Sequence, residues 1–213
     1  MNKILIRSVN VGLPKFIEWK REQVLTGIFK SPVDKALQVS FTQIEGDGQA
    51  DLVNHGGPNK AVYVYASEHY PYWNQFLQKE IVTGGFGENI TTEGLLDNAV
   101  FIGDEYRFGT AILMAVQPRM PCAKLGIRFN NVMMPKHFYH ARRNGIYFKV
   151  IQEGMIAKGD GIVLLKRSEY DITIQDIVDN YVLKEKDMNK VKQLAEIPIL
   201  PPWFREQFST MLK

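Results

Sequence analysis

The sequence predicts a mainly β protein with added helices: an antiparallel β-barrel over residues 1–166, followed by a small three-helix domain over residues 167–213. Three observations predict it. Up to Lys166 the apolar residues fall into alternating runs of strand length. Glycine-rich turn chemistry separates those runs, as at Glu45-Gly46-Asp47-Gly48 and Lys158-Gly159-Asp160-Gly161. After Lys166 the apolar spacing changes from two to three or four. Many short strands with few long helices favour a closed or sandwiched sheet, because closure removes edges that would pair with other chains.

In chain order, strands are expected at residues 4–11, 39–44, 61–65, 100–108, 111–116, 146–151 and 162–165. Ser67-Glu68-His69-Tyr70 opens a helix on which Tyr70, Trp73, Phe76 and Leu77 share a face, read as core packing against the sheet. Residues 135–143 form a second helix. In the tail, Thr173-Ile174-Gln175-Asp176 has the pattern of a capped helix start, followed by Ile177, Val178, Tyr181 and Val182 at helical spacing. A second tail helix carries Met188, Val191 and Leu194, and a third starts at Pro201-Pro202 and buries Phe204, Phe208, Met211 and Leu212. Three short helices in 47 residues bury little surface alone, so they must dock on the β part or on another subunit, and a homodimer is among the expected assemblies.

Of the 213 residues, 45% are apolar and 23% charged, which excludes intrinsic disorder and collagen-like repeats. The apolar runs are far shorter than the ~20 residues that cross a bilayer, and the first residues hold no signal-length apolar core, so a cytoplasmic protein without membrane association is expected. A formal charge of +3 is too small to argue for nucleic-acid binding. The segment before Arg167 holds 19 basic and 15 acidic residues, the tail 7 and 8, so a small anionic ligand suits the β part. The single cysteine, Cys122, makes neither an internal disulfide nor a multi-cysteine metal site, which leaves the chemistry of a lone thiol or a thiolate ligand.

There is no P-loop, and Gly85-Phe86-Gly87-Glu88-Asn89-Ile90 lacks the third glycine and the following helix of a dinucleotide fingerprint. His137 and His140 stand three apart without a familiar ligand partner and read as surface or packing histidines. Three clusters remain. In Asp51-Leu52-Val53-Asn54-His55-Gly56-Gly57-Pro58-Asn59-Lys60, two glycines let backbone N–H groups approach a ligand and Lys60 adds charge, although a plain tight turn explains the same residues. Residues 86–95 form a polar loop whose Asn89 and threonines either read a heterocycle edge or satisfy a turn. In Gln117-Pro118-Arg119-Met120-Pro121-Cys122-Ala123-Lys124-Leu125, Cys122 opens a helical turn between two basic side chains that favour the thiolate, the alternative being a buried apolar cysteine.

Together these clusters resemble the MOSC family, named for the C-terminal domain of molybdenum cofactor sulfurases, and within it the YiiM-type subgroup. The resemblance is carried by Asp51 with His55-Gly56-Gly57-Pro58-x-Lys60-Ala61-Val62, Glu68-His69-Tyr70-x-x-Trp73, Phe86-Gly87-Glu88-Asn89-Ile90-Thr91-Thr92, Ile102-Gly103-Asp104 with Arg107, Gln117-Pro118-Arg119-x-Pro121-Cys122-x-Lys124-Leu125, Gly145-x-Tyr147 and Gly159-Asp160. It implies a β-barrel holding the pterin-based molybdenum cofactor, with Cys122 as the protein ligand to molybdenum. A thiolate suits that metal, and a cofactor bringing its own dithiolene needs only one protein cysteine. His55, Gly56, Gly57, Lys60, Asn89, Thr91 and Arg119 are the candidates for holding the cofactor.

The resemblance further implies reduction of N-hydroxylated compounds, including resistance to 6-N-hydroxylaminopurine, with Lys60 or His55 as proton donors beside Cys122. The chain carries no flavin, haem or iron–sulfur signature, so a flavoprotein reductase is the expected electron donor. Two rival readings need the same reactive thiol: a sulfur carrier with a persulfide on Cys122, and a module that holds the cofactor without catalysis.

Overall fold

The computed structural model describes residues 3–51 and 56–213. Among the described residues, twelve strands and six α-helices follow one another, with the β part ordered as β1 (Leu5–Val11), β2 (Lys15–Trp19), β3 (Glu22–Thr26), β4 (Ser31–Val33), β5 (Leu37–Val39), β6 (Val62–Ala66), α1 (Tyr70–Leu77), β7 (Ile90–Glu93), β8 (Glu105–Phe108) and β9 (Ala111–Pro118). Then come α2 (Ala123–Phe129), α3 (Met134–Ala141), β10 (Ile146–Gln152), β11 (Gly154–Ile156), β12 (Ile162–Lys166), α4 (Ile174–Val182), α5 (Met188–Glu196) and α6 (Pro202–Met211). The fold is mainly β with added helices, as the alternating runs predict.

Eight strands form one sheet in the order β12-β8-β9-β10-β6-β7-β1-β4, while β5 pairs with β11 and β2 with β3 in two small ribbons. The expected closed antiparallel barrel is corrected on two counts. First, β6 and β7 run parallel, joined across α1. Second, the strand order stays open. β1 gives residues Val9 to Val11 to β4, and only its start reaches the far end of the sheet, through a single bridge from Leu5 to Gly161 and hydrogen bonds such as Ile162 N–H to Ile4 O at 2.9 Å.

Turn chemistry explains the other differences. The strand expected at 39–44 ends at Val39, because the chain reverses through Ser40 to Gln43 and brings Ile44 back beside Val39. That expected at 100–108 begins only at Glu105, after a turn closed by Asp104 N–H to Phe101 O at 3.0 Å. The polar loop at 86–95 contains β7.

The tail helices dock on the sheet. Ile174 and Ile177 of α4, Val191 and Leu194 of α5, and Phe204 and Phe208 of α6 are buried in the same apolar cluster as Leu113 of β9 and Phe148 of β10. Leu212, expected on that stripe, is instead exposed. A second, aromatic cluster gathers Tyr63, Tyr65, Tyr70, Trp73, Phe86 and Phe138 between β6, α1 and α3. Of the α1 stripe, Tyr70 and Trp73 are buried as expected, whereas Phe76 stands in solvent.

Candidate functional site

Cys122 leaves the end of β9 and is the N-cap residue of α2. Its neighbour Arg119 is fixed through the backbone: its N–H donates to Gly145 O at 3.1 Å and its carbonyl accepts from Asn144 Nδ2 at 2.8 Å. Gly145 permits that junction, since at φ +69° a Cβ would lie 2.6 Å from the Val64 carbonyl and 2.7 Å from the Tyr65 ring. The close approach of β10 to β6 thereby sets Arg119 and Cys122 over the sheet.

These residues face a cavity of about 630 Å³, a volume that includes its open mouth. Lys60 enters from the turn before β6, Tyr63 from β6, Asn89 from the approach to β7 and Tyr147 from β10. Lys30 and Asp47 complete the wall from segments outside the three sequence clusters. Tyr63 and Phe86 give it aromatic surface suited to a flat ligand.

Four cationic side chains, Lys30, Lys60, Arg119 and Lys124, line the cavity against two carboxylates, Asp47 and Asp51. Lys30 pairs with Asp47 in a contact almost sealed from solvent, and Lys124 lies 3.6 Å from Asp51. Burial lowers the Lys30 pKa, with Asp47 opposing. Burial likewise lowers that of Lys60, with Asp51 opposing. Arg119 is 5% exposed. Its guanidinium lies 5.4 Å from the Tyr63 ring centroid and 5.2 Å from that of Phe138. Burial works against its charge, but Tyr63, then Cys122, Tyr147 and Tyr65, outweigh that effect and raise its pKa. One terminal nitrogen, Nη1, is buried with no hydrogen-bond partner among the described residues. A buried charged donor left this way costs about 1–3 kcal/mol or more, which an anionic ligand in the cavity would relieve.

The structure thus brings together Lys60, Asn89, Arg119 and Cys122 of the residues singled out by sequence. Asn89 frames the wall through its own bonds: Oδ1 accepts the Tyr63 N–H at 3.0 Å and Nδ2 donates to Asp47 at 2.8 Å. Thr91 is not on the wall. Its hydroxyl donates to Glu88 at 3.0 Å and accepts from Asn10 at 3.1 Å. Glu88 is a buried hub that also takes the Tyr70 hydroxyl and the N–H groups of Gly84 and Phe86. Its carboxyl is raised above the ordinary range by burial, against the pull of those hydrogen bonds. Gly56 and Gly57 belong to the turn leading to Lys60 rather than to the wall. His55 lies outside the described residues.

His137 packs against Phe76 at 4.8 Å, and among the described residues no group of three His, Cys, Asp or Glu side chains converges as a metal site. Lys30, Asp47 and Tyr63 were not singled out by sequence, whereas Tyr147 stood in the Gly145-x-Tyr147 motif. Asp47 was visible only as turn chemistry and Tyr63 only as a strand residue.

The family model of the MOSC domain matches residues 51–163. "Uncharacterized protein YflK" of Bacillus subtilis is 42% identical over 170 residues, covering 80% of this chain and 77% of the relative. A protein of Gibberella moniliformis named "Reductase" is 31% identical over 181 residues, covering 83% of this chain but only 32% of the relative. The crystal structure of YiiM from Geobacillus stearothermophilus superposes with a TM-score of 0.82 at 34% identity, over 99% of this chain and 100% of that one. Among the described residues no helix is long and apolar enough to cross a membrane.

Proposed function

Because the chain belongs to the MOSC domain family, whose members are associated with the molybdenum cofactor, we propose that it is a molybdenum-cofactor-dependent reductase of N-hydroxylated compounds such as N-hydroxylated purines. The observation that carries this reading is the cavity in which Cys122 shares a wall with the unsatisfied, buried Arg119 donor. The relative named "Reductase" supports the reaction class.

The donor set fits the group. A thiol is the soft ligand that a thiophilic metal takes. The cofactor's anionic phosphate matches a wall with four cations and two carboxylates. When bound, the cofactor supplies two-electron, oxygen-accepting redox chemistry at molybdenum.

This chain's residues do the rest. Cys122 Sγ would hold the metal, and Arg119 and Lys30 would hold the phosphate. Asn89, itself clamped by Tyr63 and Asp47, keeps the wall in register. Tyr63 and Phe86 exclude water and orient flat ligands against the wall. Lys60 Nζ would donate a proton to the substrate nitrogen as its N–O bond breaks, a role favoured by its lowered pKa. The balance is R–NHOH plus two electrons and two protons to R–NH₂ plus water. His55 is the second proton-donor candidate, and a flavoprotein reductase supplies the electrons.

Metal and pterin content measured together with reduction of an N-hydroxylated purine tests the proposal. Protein from a cofactor-competent host is expected to carry both and to release the amine. Cys122→Ser should lose molybdenum and at least 100-fold in turnover while keeping its circular dichroism spectrum. Lys60→Ala should lose at least tenfold, and the exposed tail change Lys192→Ala nothing. Protein without molybdenum or pterin but with labile sulfur on Cys122 would overturn the reading in favour of a sulfur carrier.

A further inference from the structure

The α1–α3 face carries an exposed apolar patch that the proposed site does not use. Tyr72 is 39% exposed, Phe76 43% and Met133 44%. They are contiguous: Tyr72 and Phe76 stack 6.3 Å apart, and Phe76 meets His137 at 4.8 Å. His137 stands one helical turn beyond Met133, its N–H donating to the Met133 carbonyl. Exposed patches of this kind, rimmed by polar groups, mark interaction surfaces.

Two further observations say what covers it. The first is charge. Residues 106–152 contain eight lysines and arginines and not one aspartate or glutamate, although Arg119 and Lys124 line the cavity, Arg128 lies over Phe29 and Arg142 pairs with Asp179. Within that stretch Lys136 is exposed beside the patch, and the Arg143 guanidinium lies 4.7 Å from the Tyr72 ring centroid. At the end of α1, Lys79 and Glu80 offset one another, and Glu68, four residues before Tyr72, is tied to the Gly94 N–H, so Lys136 and Arg143 leave the rim a small basic excess. The second is continuity with the cavity. Trp73, fully buried, touches Tyr72 at 4.9 Å and Phe76 at 5.8 Å on its outer side. On its inner side it meets Phe86, a cavity-wall residue, at 5.5 Å. It also stacks 5.5 Å from Phe138, over which Arg119 sits. The patch is the outer end of an aromatic stack whose inner end faces the Cys122 cavity.

We propose that the face formed by Tyr72, Phe76 and Met133 is the docking surface for an electron-donating protein whose own docking surface is acidic around an apolar centre. The proposal rests on the reductase reading, because that reaction consumes two electrons and two protons for each N–O bond broken. The electrons come from the partner's reduced flavin, which is oxidised, and the protons from solvent. Opposite charge speeds encounter, and the apolar centre holds the complex.

Flavodoxin, an acidic carrier giving one electron per molecule, is the probe. Titrated as the oxidised form into cofactor-free, isotope-labelled full chain, it should shift the amides of Tyr72, Phe76, Met133 and Lys136. Binding should weaken at least tenfold in Phe76→Glu and in Lys136→Glu, and as salt rises. Phe16→Glu, on the β2–β3 ribbon and more exposed than the patch, should bind as wild type.

In cofactor-loaded protein, the same two variants should lose at least tenfold in purine reduction driven by reduced flavodoxin. Their rate with reduced methyl viologen should not change. No binding, shifts centred elsewhere, or equal loss with both donors overturns the docking surface. So does sedimentation showing that Phe76→Glu splits a dimer of this chain. If methyl viologen drives no reduction in wild type, the reductase reading fails, while the binding titration still decides the surface.

Discussion

Lys30 and Asp47 form an ion pair nearly closed to solvent in the cavity wall, and the carboxylate also accepts the Gly12 N–H at 3.0 Å. Removing one partner of such a pair leaves the other charge desolvated and uncompensated. Lys30→Met is therefore expected to destabilise the protein by about 3 kcal/mol in urea unfolding, and a loss under about 1 kcal/mol would show the pair to be better hydrated than its burial indicates. The same substitution should loosen pterin retention. At this scale Arg119, Lys60 and Cys122 were legible, because basic and thiol groups stood beside prolines and glycines in single segments. Lys30 was not, because Gly27-Ile28-Phe29-Lys30 carries no local signature. Its position depends on where β1, β4 and the Asp47 turn come to rest.

Among the elements, α4 shows local chemistry working as its pattern foretold. Thr173 accepts from Asp176 N–H at 3.0 Å and Asp176 accepts from Thr173 N–H at 2.9 Å, a reciprocal cap, and Lys190 of α5 binds the same carboxylate at 2.7 Å. Thr173→Ala should cost about 1 kcal/mol. Burial alone would raise the Asp176 carboxyl, but the bonds from Lys190 and Thr173 outweigh it and hold its pKa below the ordinary value. A carboxylate depressed in the folded state stabilises it above the unfolded value, about 3.9, and that contribution disappears as pH falls through the lower folded value. The stability gap between wild type and Asp176→Ala should therefore be present at neutral pH and shrink as acid titrates the group, as read by urea titrations across pH.

The β2–β3 ribbon escaped sequence reading for the opposite reason. Its two turn residues, Lys20 and Arg21, have φ of 51° and 68°, a conformation usually signalled by Asn-Gly or Asp-Gly. β7 was hidden in the same way by its company, since Thr91 and Thr92 sit in a polar run that reads as loop.

Over the whole molecule, the change of period at Lys166 located the tail helices, and their shortness left the β part or another subunit to cover them; the structure shows the first. Ile174, Val191 and Phe204 share one buried cluster with Val100, Leu113 and Phe148. A chain ending at residue 166 is expected to lack a cooperative thermal transition and to bind a hydrophobic dye, and a sharp transition in that fragment would show the β part to be autonomous. The barrel expectation went too far because periodicity reports which face of a strand is buried, not how many residues β1 can lend to each neighbour.

The shared core also bears on how the protein is made. The 47 residues from Arg167 to Lys213 that finish it leave the ribosome after the β part they cover. At ~5–20 residues per second their synthesis takes roughly 2–9 s, during which the inner sheet has no cover. A nascent chain stalled near Lys166 would expose that sheet and be a substrate for chaperones.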